Sequence, residues 1–174
     1  MLSLFFGCYK RDESLDDKLT LKRVGYNGNE LRIDGYYRHY VYVGKEPSPR
    51  YVIPYILYRN GIIFGEDGAS IDRIVEMEEQ FRNGTYAIRA AERKWQWGVF
   101  QINGNQIKYE KWAPGETPFY AFTYEGMILN DTTFVINKYY RMRDVQNKAQ
   151  TEVYWEYHFK QFSPKPDSTN RFIP

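Results

Sequence analysis

Few side chains in this 174-residue chain have types suited to chemistry beyond plain charge: two histidines, one cysteine and an unusual number of phenols. Metal ions want His, Cys and carboxylates at ligand spacing. His39 and His158 stand far apart in sequence, and Cys8 lies near the start. In a strand, alternate side chains share a face, which puts His39 in one row with Tyr37 and His158 in the row opposite Trp155 and Tyr157. The two imidazoles then look to opposite sides, so no shared metal is expected. No Gly-rich phosphate loop precedes a helix and no Gly-x-Ser-x-Gly elbow appears. A nucleophilic triad needs Ser or Cys beside His in space, and nothing singles one out. What remains is aromatic. Tyr37, His39, Tyr55, Trp97, Tyr109 and Tyr157 are the candidates to line an interior site for a small apolar or amphipathic ligand, without cofactor. The plain alternative is that the same rings simply fill the core, since aromatic residues dominate core energetics whether or not a ligand exists.

The elements that must position these residues are strands. Aromatic residues make up 18% of the chain, with 17 Tyr, 11 Phe and 4 Trp, and such residues suit pleated, half-buried surfaces. Leu31 to Val43 alternates, with Leu31, Ile33, Gly35, Tyr37, His39, Val41 and Val43 expected inward and Arg32, Asp34, Tyr36, Arg38, Tyr40 and Tyr42 outward. Tyr51 to Tyr58 and Ile62 to Phe64 follow, and Pro54 suggests an edge or a bulge in the first of these. Trp95–Ile102 and Gln106–Trp112 flank Asn103-Gly104-Asn105, whose Asn-Gly step accepts the positive φ of a tight hairpin. Phe119–Tyr124 and Met127–Leu129 read as strand around a kink at Glu125-Gly126, then Thr132–Arg141 and Thr151–Phe162. One segment changes period: Ile71, Ile74, Val75 and Phe81 share a helix face between a Ser70 N-cap and an Asn83-Gly84 stop. That helix would be a lid over a barrel end, or a packing helix over an open edge or barrel mouth. Thr85 to Lys94 is ambiguous and admits a short strand.

Net charge is +2, from 24 basic and 22 acidic residues spread along the chain, which makes no case for a nucleic-acid surface. Tyr36-Tyr37-Arg38-His39-Tyr40 has the interleaving that stacks single-stranded bases, but Asp34 sits in the same outward row as the arginines and an ordinary strand is the better reading.

At the head, Met1-Leu2-Ser3-Leu4-Phe5-Phe6-Gly7-Cys8 is apolar and then turns charged at Lys10, Arg11, Asp12 and Glu13. The run is far too short to span a bilayer. Gly7-Cys8, with the only cysteine, resembles the lipid-acceptor site of bacterial lipoproteins, and Lys10 followed by Asp12 and Glu13 resembles the charged tether that sends some Gram-negative members to the outer surface. The resemblance implies lipid on Cys8, a membrane anchor at the cell envelope, a start codon assigned too far downstream, and no disulfide inside the domain. The organisation expected is a truncated signal over 1–8, a tether over 9–30, a barrel over 31–162 and a loose tail over 163–174.

The strand count gives an all-β fold: an up-and-down antiparallel barrel of about eight strands with one helix, closed by Leu31–Val43 against Thr151–Phe162 so that no edge is left. Residues 31–162 resemble lipocalin-like, or calycin, barrels, on Trp97 to Ile107 and Gly126 to Phe134. Gly35-Tyr36-Tyr37 is the nearest approach to the Gly-x-Trp of lipocalins. The resemblance implies a non-enzymatic container for a small hydrophobic ligand. Some calycin barrels decarboxylate phenolic acids through interior Tyr, Arg and Glu, and Tyr37, His39, Tyr109 and Tyr157 are the residues that reading would use. A third reading is a solid barrel that docks another envelope protein through exposed aromatic strands.

Overall fold

The computed structural model describes residues 16–66, 68–86, 92–113, 118–141 and 150–174. Cys8, with the rest of residues 1–15, lies outside them. Eight strands follow one another: β1 Gly35–Val41, β2 Tyr51–Leu57, β3 Ile62–Gly65, β4 Trp97–Asn103, β5 Gln106–Trp112, β6 Ala121–Asn130, β7 Thr133–Arg141 and β8 Thr151–Gln161. Each pairs antiparallel with the next, and β8 returns to β1 to close the barrel. The fold is therefore the all-antiparallel, up-and-down barrel that the strand pattern predicts. The β4–β5 hairpin turns at Asn103↔Gln106 with Gly104 at φ 60°. At the seam, Tyr37 stands opposite Phe159 and Arg38 opposite His158.

Two cores share the barrel wall. Tyr37, Tyr55, Leu57, Ile63, Phe100, Ile107, Tyr109, Phe134, Ile136 and Tyr157 fill the inside. Tyr36, Ile56, Phe64 and Trp97 form a second cluster with Ile74, Met77 and Phe81 of α1 (Ile71–Arg82) on the outside. A wall covered on both faces has no polar row to show, so β2 and β3 read as nearly continuous apolar runs. Tyr36, expected in solvent, is buried for this reason, and its hydroxyl donates to Glu78 of the helix at 2.6 Å.

The helix begins where its sequence says, with the Ser70 side chain accepting from the Arg73 N–H and Asn83 as C-cap. Its buried face is Ile74, Met77, Glu78 and Phe81, whereas Val75, expected in the apolar stripe, is 66% exposed and Ile71 is exposed too. It lies against the outer wall and covers neither a barrel end nor a free edge, because closure leaves no edge. Pro54 likewise sits in an interior strand. Its carbonyl accepts from Glu66 just past the end of β3, and N and O of one strand residue point the same way, so the missing N–H falls where no partner strand remains.

Residues 16–31 are laid on the barrel and do not hang as a tether. Asp16 is buried, accepting from Lys94 at 2.7 Å and from the Phe119 N–H at 2.8 Å. Glu110, facing outward from β5, accepts from the Thr20 N–H at 2.6 Å, the Thr20 hydroxyl at 3.0 Å and the Leu21 N–H at 2.8 Å. Tyr26 and Leu31 then join the interior core. They enter beside the β2–β3 and β6–β7 turns, through Tyr26 N–H to Arg59 and Arg32 N–H to Asp131, and so close that end of the barrel. The C-terminal residues are equally held. Lys165 donates to the carbonyls of Ile33 and Leu57, Tyr58 donates to that of Pro166, and Ile173 is buried. Of the ambiguous Thr85–Lys94 segment, residues 87–91 lie outside the described residues, and a 3-10 turn at Lys94–Gln96 leads into β4.

Candidate functional site

With one end closed by Tyr26 and Leu31, the site is built from the inward side chains toward the other end. Tyr109, Tyr124 and Tyr139 lie across from one another through β5, β6 and β7, and Ile136 pairs with Trp155 across β7 and β8. Their rings form a continuous lining. Tyr109 stacks on Tyr124 at 4.6 Å, Tyr124 on Tyr139 at 5.8 Å, and Tyr139 on Trp155 at 5.3 Å. His39 continues it, 6.2 Å from Trp155 and 5.3 Å from Tyr157. Tyr157 stacks on Tyr55 at 5.1 Å and on Phe134 at 4.7 Å, and Tyr55 meets Tyr109 edge-on at 5.4 Å. Burial falls off along this path. Tyr55, Tyr109 and Tyr157 are buried, while His39, Tyr124, Tyr139 and Trp155 are only half-buried. The stack of rings, here called the aromatic cup, thus runs from covered residues near the closed end to part-exposed ones beyond them.

Of the six residues singled out by sequence, the structure brings five together: Tyr37, His39, Tyr55, Tyr109 and Tyr157 all face inward. Tyr37 lies on the Phe134 and Phe159 side, its hydroxyl donating to the carbonyls of Arg32 and Asp131 near the closed end. Trp97 is the exception. Its pairing with Phe64 turns it to the outer wall, 4.8 Å from that ring, and the inward row of β4 is Gly98, Phe100 and Ile102. Both rows of β4 are apolar because the outside is covered, so size alone misleads there. His39 and His158 do face opposite ways: His158 is largely exposed beside Glu156 at 3.3 Å.

Four inward residues are absent from the sequence candidates: Tyr124, Tyr139, Trp155 and Lys111. Lys111 carries the most information. In β5 it follows Ile107 and Tyr109 at the same parity, so a lysine stands in the apolar row, and that was the available signal. It is 2% exposed, with its ammonium 5.1 Å from the centre of the Tyr55 ring and 3.3 Å from the Gly65 carbonyl, to which it donates. Gly98 stands opposite in β4, where an added Cβ would come within 2.7 Å of that of Lys111.

Burial sets the protonation of the cup. It pushes the Tyr109 phenol well above its ordinary value, so the group stays a neutral hydroxyl. The neighbouring phenols of Tyr157, Tyr55 and Tyr124 push it in the same direction. Burial also pulls His39 below the usual imidazole value, against the raising effect of its hydrogen bond to the Glu156 carbonyl. The neutral ring donates there from Nδ1 at 3.0 Å, leaving Nε2 as an acceptor. The arrangement offers flat aromatic walls edged by phenol hydroxyls and the His39 Nε2. A separate groove of about 410 Å³ lies on the outer wall between residues 16–23 and the C-terminal residues, over Val99 and Trp112. Comparison of the chain with protein-family models, with curated proteins and with solved structures returned no match.

Proposed function

We propose that the barrel is a non-enzymatic, lipocalin-like container that takes a small apolar or amphipathic ligand at its aromatic cup, on a chain held at the bacterial cell envelope by lipid on Cys8. The observation that carries this reading is the gradient of burial along one stacked aromatic path, from Tyr109 and Tyr157 at the floor to Tyr139 and Trp155 at the rim. Rings that served packing alone would gain most by being covered along the whole path. Half-covered inward rings leave apolar area for a guest to remove from water, at about 25 cal/mol per Å².

Titration with the neutral fluorescent probe N-phenyl-1-naphthylamine tests the container. The expected result is saturable binding that quenches tryptophan emission. Trp155→Ala and Tyr139→Ala should each weaken it roughly tenfold, the size of one lost aromatic contact. Absence of saturable binding, or binding that both variants leave intact, overturns the reading. Cell fractionation checks the anchor: Cys8→Ser should move the protein out of the membrane fraction.

The second reading, docking of an envelope protein, draws on the exposed aromatics Tyr42, Tyr51, Tyr120 and Tyr154. Cross-linking in intact cells checks it, through a reproducible protein partner that Tyr42→Ser and Tyr154→Ser remove.

A further inference from the structure

We propose that the end of the barrel opposite Tyr26 and Leu31 rests on the lipid surface of the membrane, with Tyr42, Tyr51, Tyr120 and Tyr154 seated among the headgroups. The inference rests on the envelope-anchor part of the proposed function and names the face of the molecule that meets the bilayer.

Successive connections of an up-and-down barrel alternate between its ends. The end away from the β2–β3 and β6–β7 turns therefore holds the β1–β2 and β5–β6 connections and the start of β8. All four exposed aromatic side chains among the described residues belong to it, from 38% exposure at Tyr120 to 68% at Tyr154. Tyr42 follows β1, Tyr51 opens β2, Tyr120 precedes β6, and Tyr154 lies near the start of β8. Tyr42 and Tyr154 are each four residues beyond the Arg38↔His158 pair, so they stand at one level. Tyr51 and Tyr120 share the parity of the inward Tyr55 and Tyr124, whereas Tyr42 and Tyr154 share that of the outward Arg38 and His158. Rings from both faces of the wall are thus uncovered at one end, which marks the end itself and no single side. The closed end is the reverse: Tyr26, Tyr37 and Tyr58 are buried there, their hydroxyls donating to the carbonyls of Leu31, Arg32 and Pro166. Phenols suit the headgroup level of a bilayer, where the ring meets apolar chains and the hydroxyl stays wet. The charges around the exposed rings have both signs, Lys45 and Arg50 beside Glu46 and Glu152, so the rings carry the contact.

The chain also reaches this end. The Asp17 N–H donates to the Phe119 carbonyl at 2.8 Å, and the Asp16 carboxylate accepts from the Phe119 N–H at 2.8 Å, so the residues before Asp16 leave the barrel beside Tyr120. Eight residues separate Cys8 from Asp16, a reach of at most about 28 Å. The 11-residue β8, about 36 Å long and tilted as barrel strands are, gives a barrel roughly 28 Å tall. To set the closed end on the bilayer, the link would have to run fully stretched along the whole barrel. A lipid on Cys8 therefore presents the Asp16 end.

The single cysteine allows a direct test. The full chain is coupled through Cys8 to a maleimide lipid in vesicles of phosphatidylethanolamine with a minority of phosphatidylglycerol. Hydroxyl-radical footprinting, read by peptide mass spectrometry, compares it with the uncoupled chain. Modification of Tyr42, Tyr51, Tyr120 and Tyr154 should fall about threefold or more, since so short a link holds the rings at an effective millimolar concentration beside the surface. Met127 and Leu129, exposed beside the β6–β7 turn at the closed end, should keep their rates. Raising the salt should leave the protection in place, because rings and not charges make the contact. The double variant Tyr42→Ser with Tyr154→Ser should return Tyr51 and Tyr120 toward the uncoupled rate, its fold checked by far-UV circular dichroism. Should it not fold, the comparison of the two ends in the native chain decides. Protection of Met127 and Leu129, or equal rates at both ends, overturns the inference. Tyrosines protected in membranes isolated from cells but not on the pure lipid vesicles reveal a protein partner, and overturn it in favour of the docking reading. The anchor is decided separately: loss of Cys8→Ser from the membrane fraction, with no protection on vesicles, removes this inference alone.

Discussion

Single carboxylates do unlike work in this molecule, and pH separates them. Burial raises the proton affinity of Glu125, yet hydrogen bonds from Lys138, Tyr140 and Lys108 outweigh it and draw the group down to about 2, from an ordinary 4.5. Its folded value lies below its unfolded one, so it contributes stability that is complete above about pH 4.5 and lost as pH falls toward 2. Glu125→Gln should therefore flatten the acid limb of a plot of urea midpoint against pH in that window. An unchanged limb would show that other carboxylates carry it. His39 acts in the same direction at a higher pH. Its folded value is below the unfolded 6.5, so the unfolded chain binds the extra proton and stability falls as pH drops through that value. Part of this was legible in the sequence: the parity of His39 and His158 follows from alternation alone. Lys111 was legible too, as the one charge in the apolar row of β5, but the significance of a buried cation depends on which rings surround it, and those come from other strands.

Buried acids join apolar packing in holding the outer elements to the barrel. Glu78 takes hydrogen bonds from Tyr36 at 2.6 Å and Lys160 at 2.5 Å, joining α1 to both strands of the seam. Removing it strands the Tyr36 hydroxyl under the helix, while Lys160 is exposed enough to turn to water. Glu78→Ala should cost about 2 kcal/mol, the scale of a lost charged hydrogen bond plus an unsatisfied buried hydroxyl. Hydrogen exchange should show the helix amides opening before those of β4–β7. Uniform acceleration across all strands would mean that α1 is part of the barrel's own stability, not an element clamped onto it. This also explains which elements sequence could place. Strands and helix announce themselves by period, and all eight strands fall near their expected positions. What covers the outer wall is not periodic. Residues 16–31 are anchored by backbone N–H groups to Asp16, Asp17 and Glu110, and carboxylates in a charged, irregular stretch look like solvated ones until their partners are known. For the same reason the outward row of β1 seemed polar: Tyr36 lies under a helix that is 35 or more residues away.

Closure ties these scales together, because the cup exists only where β1 meets β8. His39 reaches Tyr157 and Trp155 across that seam, and the seam begins at Gly35↔Gln161. The strand rows already implied closure, since eight strands in an open sheet would leave two long aromatic edges for other chains to pair with. They did not show how closely the two strands approach. A Cβ on Gly35 would sit 2.1 Å from the Lys160 carbonyl oxygen and 2.8 Å from the Phe159 ring, with backbone on one side that cannot turn away. Gly35→Ala must therefore push β1 and β8 apart or bend them, a strain of about 1–3 kcal/mol for overpacking. Thermal unfolding should register that loss, and hydrogen exchange should localise it to β1 and β8 with β4–β6 unaffected. Binding of N-phenyl-1-naphthylamine should weaken in parallel, because displacing β1 carries His39 away from Trp155. A variant that loses stability yet keeps full probe affinity would place the guest on the β5–β7 wall alone, with Tyr109, Tyr124 and Tyr139. The seam would then be a device for hiding strand edges and no part of the site.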